Sequence, residues 1–256
     1  MKRIITLTTD FGNRDHYVGS MKGVIYTINP DVTITDITHE IPAHDVFSAA
    51  FTLRSFLPYF PKETIHVVVV DPGVGSVRKP IVLEADEKFF VGPDNGVFTY
   101  VILGSESIRA YEISNPKYSL SRVSFTFHGR DIFAPAAAHL SLGVSIGDFG
   151  KRLLNPRMLE IKEPDVGGGE IIGEVIYEDT FGNLVTNIPG SMVDSDSRLY
   201  VCDISINGVC KSYSEASEGE LLAVIGSSGF LELSVNRGRA SDLIKCRSSK
   251  VYVRNN

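Results

Sequence analysis

The stretch Asp71-Pro72-Gly73-Val74-Gly75-Ser76-Val77-Arg78 puts a carboxylate and a guanidinium at the two ends of a short glycine-containing loop. It follows a continuous apolar run, residues 65–70, of the kind that forms a strand buried on both faces. In open α/β sheets ligands bind beyond the carboxyl ends of strands, so Asp71 stands where a reactive carboxylate faces a cleft. The glycines let backbone approach a ligand closely, and Arg78 can return to Asp71 as an ion pair. Taken locally, the same residues also make a tight turn closed by a surface salt bridge, and local sequence leans slightly that way. The loop is not a P-loop, because Gly-Lys-Ser/Thr is missing.

Three further segments carry groups of comparable interest. In Thr126-Phe127-His128-Gly129-Arg130-Asp131, Asp131 reads as the cap of the next helix, which leaves His128 to face the same cleft. A lone histidine is more often structural than catalytic, and His16, His39, His44, His66 and His139 have similar claims. Thr9-Asp10-Phe11-Gly12 is another strand end, whose carboxylate either caps a helix or accepts from two ribose hydroxyls. In Asp179-Thr180-Phe181-Gly182-Asn183, Phe181 can stack on a purine and Asn183 can pair with its edge, or the segment is a β-turn over a core phenylalanine. Gly92-Pro93-Asp94-Asn95-Gly96 is either a turn or a set of polar groups around a water. No metal-ligand spacing appears, since His39 and His44 flank a proline, and there is no Gly-x-Ser-x-Gly elbow.

The elements that must position these groups follow from periodicity. Strands are predicted at residues 3–9, 32–37 and 65–70, a hairpin at 81–85 and 89–91, and helices at 17–28, 46–57 and 131–142. Alternation of strand and helix argues for an α/β layer with a largely parallel central sheet over residues 1–163. Composition then shifts at residues 164–169, a proline followed by three glycines, which read as a linker. From residue 170 to 256 helical periodicity fades. Short runs at 173–177, 199–204, 221–225 and 230–235, separated by Asn207-Gly208 and Gly226-Ser227-Ser228-Gly229, predict a smaller all-β, barrel-like domain.

The chain has 256 residues, 43% of them hydrophobic, enough for a sizeable core. Its net charge of −6 and scattered Lys and Arg exclude an ordinary nucleic-acid binder. No apolar run is long enough to cross a bilayer. Cys202, Cys210 and Cys246 form no C-x-x-C pair. An odd count and the absence of a secretory leader favour reduced thiols in the cytoplasm, although a Cys202–Cys210 bridge stays open.

Taken together and in order, Thr8-Thr9-Asp10-Phe11-Gly12, Asp36-Ile37-Thr38-His39, Val70-Asp71-Pro72-Gly73-Val74-Gly75, Gly92-Pro93-Asp94-Asn95-Gly96, Phe127-His128-Gly129-Arg130-Asp131-Ile132-Phe133-Ala134-Pro135, Asp179-Thr180-Phe181-Gly182-Asn183 and Ser234-Val235-Asn236 closely resemble one family. It is the S-adenosylmethionine (SAM) hydroxide adenosyltransferase, or adenosine-forming SAM hydrolase, family, related to the SAM-dependent fluorinase and chlorinase. The resemblance runs through nearly the whole chain. It implies a larger α/β domain, a smaller β-barrel, and a homotrimer with each active site between one subunit's N-terminal domain and its neighbour's C-terminal domain. It implies that Asp71, Arg78 and His128 handle a water and that Asp10 binds the ribose diol. By the same resemblance Phe181 and Asn183 contact adenine, Asp179 the methionine ammonium and Ser227 its carboxylate, with Asn95 also among the substrate-binding residues. The halogenases place a tryptophan near the ribose. This chain has none, and His44 follows Pro42-Ala43 instead.

The implied reaction is hydrolysis of SAM to adenosine and L-methionine by attack of water or hydroxide at ribose C5′, with no metal or cofactor. A halogenase using chloride or fluoride, a non-catalytic SAM or adenosine sensor, and a structural α/β protein are the alternatives.

Overall fold

A computed structural model describes residues 3–245 and 250–255. The chain divides into two compact units, one ending at Leu159 and one beginning at Glu160.

The first unit is built on a seven-stranded sheet. Its elements in chain order are β1 (Ile4–Thr9), α1 (Tyr17–Ile28), β2 (Thr33–Thr38), α2 (Val46–Phe56), β3 (Ile65–Val69), β4 (Pro80–Ala85), β5 (Lys88–Pro93), α3 (Thr99–Gly104), β6 (Ile108–Glu112), α4 (Ala134–Ser141) and β7 (Arg152–Leu153). The strand order is β2-β1-β3-β5-β4-β6-β7. Strands β2, β1, β3 and β5 run parallel, whereas β4, β6 and β7 each pair antiparallel with their neighbours. The period of two along each strand decides which core a side chain joins. Ile5, Leu7, Ile65, Val67 and Val69 pack with Met21, Ile25 and the small residues Ala136 and Ala137 of α4. Val68, Ile81, Leu83 and Phe90 face the opposite way, onto Ala49, Leu53 and Val101 of α2 and α3. The sheet is thus covered on both sides, which is why its central strands read as unbroken apolar runs.

The second unit is an antiparallel sheet of eight strands: β8 (Asp165–Gly167), β9 (Glu170–Glu178), β10 (Leu184–Pro189), β11 (Arg198–Val201), β12 (Ile204–Asn207), β13 (Leu221–Ile225), β14 (Phe230–Val235) and β15 (Lys250–Arg254). Its order is β12-β11-β15-β9-β10-β14-β13, with β8 on β9. Cys210 bridges to Val224 beyond the end of β12, so the two outer strands approach each other and the sheet curls into a near-barrel around Ile188, Leu199, Leu231 and Val251.

Three local expectations change, while the favoured reading of Cys202 and Cys210 as thiols stands. The glycine run of residues 164–169 is a hairpin: β8 pairs with β9, and Gly168 and Gly169, at φ 61° and 80°, supply the left-handed pair that a two-residue turn needs. Residues 199–204 are not one strand, because Cys202 at φ 52° turns β11 back into β12. The helix placed at 131–142 begins as a π-helical turn, Gly129–Phe133, and becomes α-helical only from Ala134. Cys202 and Cys210 both carry thiols and form no bridge, while Cys246 lies outside the described residues.

Candidate functional site

Parallel pairing of β1 and β3 aligns Thr9 with Val69, so the segments that leave these strands emerge side by side. Asp10 and Asp71 therefore reach one edge of the sheet, the carboxyl edge where this class of sheet binds ligands. A cavity of about 280 Å³ opens there, lined by Asp10, Phe11, His44, Asp71, Phe127 and His128 among others. Phe11, Tyr17 and Phe127 form an edge-on aromatic wall on one side, with ring centroids 5.1–5.9 Å apart.

Asp71 and Arg78 form a two-point ion pair. Arg78 Nε donates to Asp71 Oδ1 at 3.0 Å, and Arg78 Nη2 donates to Asp71 Oδ2. Their side chains are only 5% and 4% exposed, so this is not a surface salt bridge. Arg78 also lies over the ring of Phe133, 5.3 Å from its centroid. Arg78 Nη2 reaches His128 Nδ1 at 3.0 Å. Three groups from two segments thus meet, and two of them, Asp71 and His128, line the cavity. Arg78 Nη1 is buried without a hydrogen-bond partner among the described residues.

This contact determines the state of His128. A guanidinium only donates, so Nδ1 must accept, and the ring proton resides on Nε2. Burial and then the Arg78 charge hold His128 below its ordinary value of 6.5, against the opposing pull of Asp71, Asp131 and a hydrogen bond to the Ser124 backbone. His128 is therefore neutral at pH 7.

Asp10 accepts a hydrogen bond from the His44 backbone N–H at 2.9 Å. His44 adopts φ 68°, an uncommon conformation for a side-chain-bearing residue and one that clusters at functional sites. Behind Asp10, Thr9 Oγ1 bonds His39 Nδ1 at 2.9 Å, and the His39 carbonyl accepts from Gly12 N. His39 is thus a buried brace for the turn rather than a cavity group. His66 is likewise a core residue, bonded to Thr6 and ringed by Phe56, Phe60 and Phe90. Asn95 does not line the cavity. Its Nδ2 donates to the Val70 carbonyl and its Oδ1 accepts from Val97 N, so it ties the turn after β5 to the end of β3, next to Asp71.

The candidates Asp179, Phe181, Asn183 and Ser227 belong to the second unit. Asp179 is occupied by its own loop: Oδ1 accepts from Phe181 N and Asn183 N, and Oδ2 accepts from Asn183 Nδ2. That loop holds Asn183 buried and leaves Phe181 74% exposed at the tip, so Phe181 is not a core residue. Ser227 lies exposed in the turn between β13 and β14. Asp131 is not a helix cap. Fully buried, it accepts from Ser124 N at 2.8 Å and pairs with Arg130. Sequence reasoning missed the lining roles of Tyr17, Phe11 and Phe127, because single aromatic residues carry no spacing signal.

Relatives of known kind share this architecture. The model of the SAM hydroxide adenosyltransferase N-terminal domain matches residues 5–150, and that of its C-terminal domain matches residues 173–252. A Methanocaldococcus jannaschii protein named (R)-S-adenosyl-L-methionine hydrolase is 39% identical over 94% of this chain and 91% of its own length. A crystal structure of an uncharacterized conserved protein from Thermotoga maritima superposes with a TM-score of 0.92 at 41% identity, covering 98% of this chain and all of that one. A fluorinase of an Actinoplanes species is more distant, 26% identical over 91% of each chain. With both domain models matched in order and these relatives covering its length, the chain belongs to the SAM hydroxide adenosyltransferase family.

Proposed function

We propose that this protein hydrolyses SAM to adenosine and L-methionine. The observation that carries the reading is that hydrogen bonds join Asp71, Arg78 and His128, with Asp71 and His128 lining the strand-end cavity. Water attacks C5′ opposite sulfur. The C5′–O bond forms, the C5′–S bond breaks, and its electron pair returns to sulfur as the neutral thioether of methionine. Bulk water has a pKa of about 15.7, so the proton needs an acceptor as the bond forms.

The geometry favours Asp71 for that task. Both its oxygens already accept from Arg78, but a carboxylate has further lone pairs. His128 presents Nδ1 to Arg78 and keeps its proton on Nε2, so it serves as the group that fixes the guanidinium. Arg78 Nη1, buried and without a partner among the described residues, is assigned as the donor to the attacking oxygen. A sulfonium and a hydroxide-like nucleophile become neutral products, so a dry pocket favours the transition state, and in-line placement supplies much of the rest. Asp71 beside the nucleophile disfavours a halide in that position. The chemistry as written uses no metal or cofactor, and SAM is the substrate.

Asp10, held by the His44 backbone, suits the ribose diol, and Phe181 and Asn183 suit adenine. Asp179 and Ser227 are assigned to the amino-acid end, and Asn95 to support of the Asp71 turn. We assign the protein to homotrimers in which these second-unit residues complete a neighbour's site. The exposed Val77 and Phe125, 94% and 82% accessible on the loops beside the cavity, support such an interface. A sedimentation mass of one chain would refute it. No helix among the described residues is long and apolar enough to cross a membrane, and the Cys202 and Cys210 thiols suit the reducing cytoplasm.

The decisive test is product analysis in oxygen-18 water with SAM. The label is expected in adenosine and absent from methionine. Adenosine without label, or 5′-chloro-5′-deoxyadenosine formed in a parallel chloride arm, would overturn the hydrolase reading.

A further inference from the structure

Strands β4 and β5 end on facing prolines, Pro80 and Pro93, which have no N–H to donate. The ladder closes one residue further out, where the Asp94 N–H donates to the Lys79 carbonyl at 2.9 Å. The next residue makes a companion bond: Asn95 Nδ2 donates to the Val70 carbonyl, also at 2.9 Å. That carbonyl belongs to the peptide that enters Asp71, and Lys79 directly follows Arg78. A single turn, residues 94–96, thus grips the loop of the Asp71–Arg78 ion pair at both of its ends.

The turn is itself held by a strap, residues 157–159, the last of the first unit. Asp94 Oδ1 accepts from Arg157 N at 2.7 Å. Gly96 bridges to Met158 in parallel register. Thr99 Oγ1 accepts from Leu159 N at 2.8 Å and donates to the Gly96 carbonyl at 2.6 Å. A Cβ on Gly96, which has φ 99°, would come within 2.8 Å of the Leu159 side chain, so strap and turn lie in direct contact. Asp94 is only 6% exposed and Thr99 is fully buried, and polar groups at that depth persist where hydrogen bonds offset their desolvation. Neither side chain lines the strand-end cavity.

We propose that Asp94 is a positioning residue for the reaction. Its carboxylate fastens the strap to the turn, and its N–H fastens the turn to the chain just after Arg78. Its neighbour Asn95 fastens the same turn to the peptide that enters Asp71. This clamp sets the separation of the loop ends, and with it the alignment of Arg78 Nε and Nη2 on the two oxygens of Asp71. The clamp needs an acceptor at Asp94 rather than a charge, because the partner is a backbone N–H.

The inference rests on the hydrolase reading only for its activity readout. Asp94→Ala removes the acceptor for Arg157 N. Its kcat is expected to fall roughly ten- to a hundredfold, the scale of a small misplacement, with KM for SAM within about twofold. Asp94→Asn keeps an acceptor of the same reach and should restore kcat to within about threefold of wild type. The Arg78 Nε–H signal in proton–nitrogen NMR gives a readout without substrate, because its bond to Asp71 protects it from exchange with water. That exchange should quicken about tenfold in Asp94→Ala and stay near wild type in Asp94→Asn. A folded Asp94→Ala with wild-type kcat or unchanged Arg78 exchange, or an Asn variant as impaired as the Ala variant, would overturn the proposal. Should Asp94→Ala not fold, Thr99→Val, which takes the acceptor from Leu159 N on the same strap, is measured in the same two ways, and a wild-type value of either would overturn it. Faster Arg78 exchange in a variant of a protein that leaves SAM intact would fault the substrate and leave the clamp standing.

Discussion

At the level of single residues, burial separates structural charges from working ones. Arg78 and Asp71 share a dry pair, and Arg78 Nη1 is left as a buried donor without a partner among the described residues. Arg78→Ala and His128→Ala should therefore lower turnover more than SAM affinity, by about 10²- to 10⁴-fold in kcat. Phe181, exposed at a loop tip, should behave oppositely: Phe181→Ala should weaken SAM binding by roughly 1–3 kcal/mol with little change in stability. Single-turnover rates and titration calorimetry on the three variants would expose a wrong assignment if the pattern inverted. These roles were partly legible beforehand because a strand-end carboxylate and a loop arginine are typed groups at a meaningful spacing. The occupation of Asp179 by its own loop was not legible, since it depends on how that loop folds onto itself.

At the level of elements, two loops rather than any helix or strand hold the candidate machinery. Gly75, at φ 75°, lies against the Phe125 backbone, and a Cβ there would come within 2.4 Å of the Phe125 carbonyl oxygen. This contact joins the Asp71–Arg78 loop to the loop leading into His128. Gly75→Ala should cost about 1–3 kcal/mol, from the left-handed backbone and the clash together, and should separate the two loops. Thermal melts and kcat measured side by side test this: an unchanged melting temperature with full activity would show that the contact is not needed. The β-strands 3–9 and 65–70 were readable from their apolar runs, whereas α3 and β6 were not. Thr99–Gly104 is only six residues long, too short for a helical period to register. The π-helical turn escaped because a single wide turn, closed by the Ala134 N–H on the Gly129 carbonyl, leaves the apolar spacing of the segment close to that of an α-helix.

At the level of the molecule, three cores sit in two units, one on each face of the layered sheet and one inside the curled one. Within the first, His66 is held neutral by burial, its pKa pushed down to about 3 from 6.5. The unfolded chain takes up a proton below pH 6.5 that the folded chain refuses until about pH 3, so stability falls as pH drops through that window. The loss from this residue between pH 7 and pH 5 should be about 2 kcal/mol. Urea denaturation at the two values, compared with His66→Gln, checks it: the variant should show a flatter dependence, and an equal slope would refute the assignment.

Composition and strand periodicity were enough to divide this chain into an α/β part and a β part and to mark Asp10 and Asp71 as strand-end candidates, while the resemblance to a family picked out their roles and those of Arg78 and His128. These properties are local, because alternation along a strand records which faces are covered without naming what covers them. The meeting of Arg78 with His128, the tautomer this imposes, and the grip of Asp131 on Ser124 arise between segments separated in the chain. Hydrogen bonds of that kind depend on ångström-scale placement, which packing sets and residue order alone does not record.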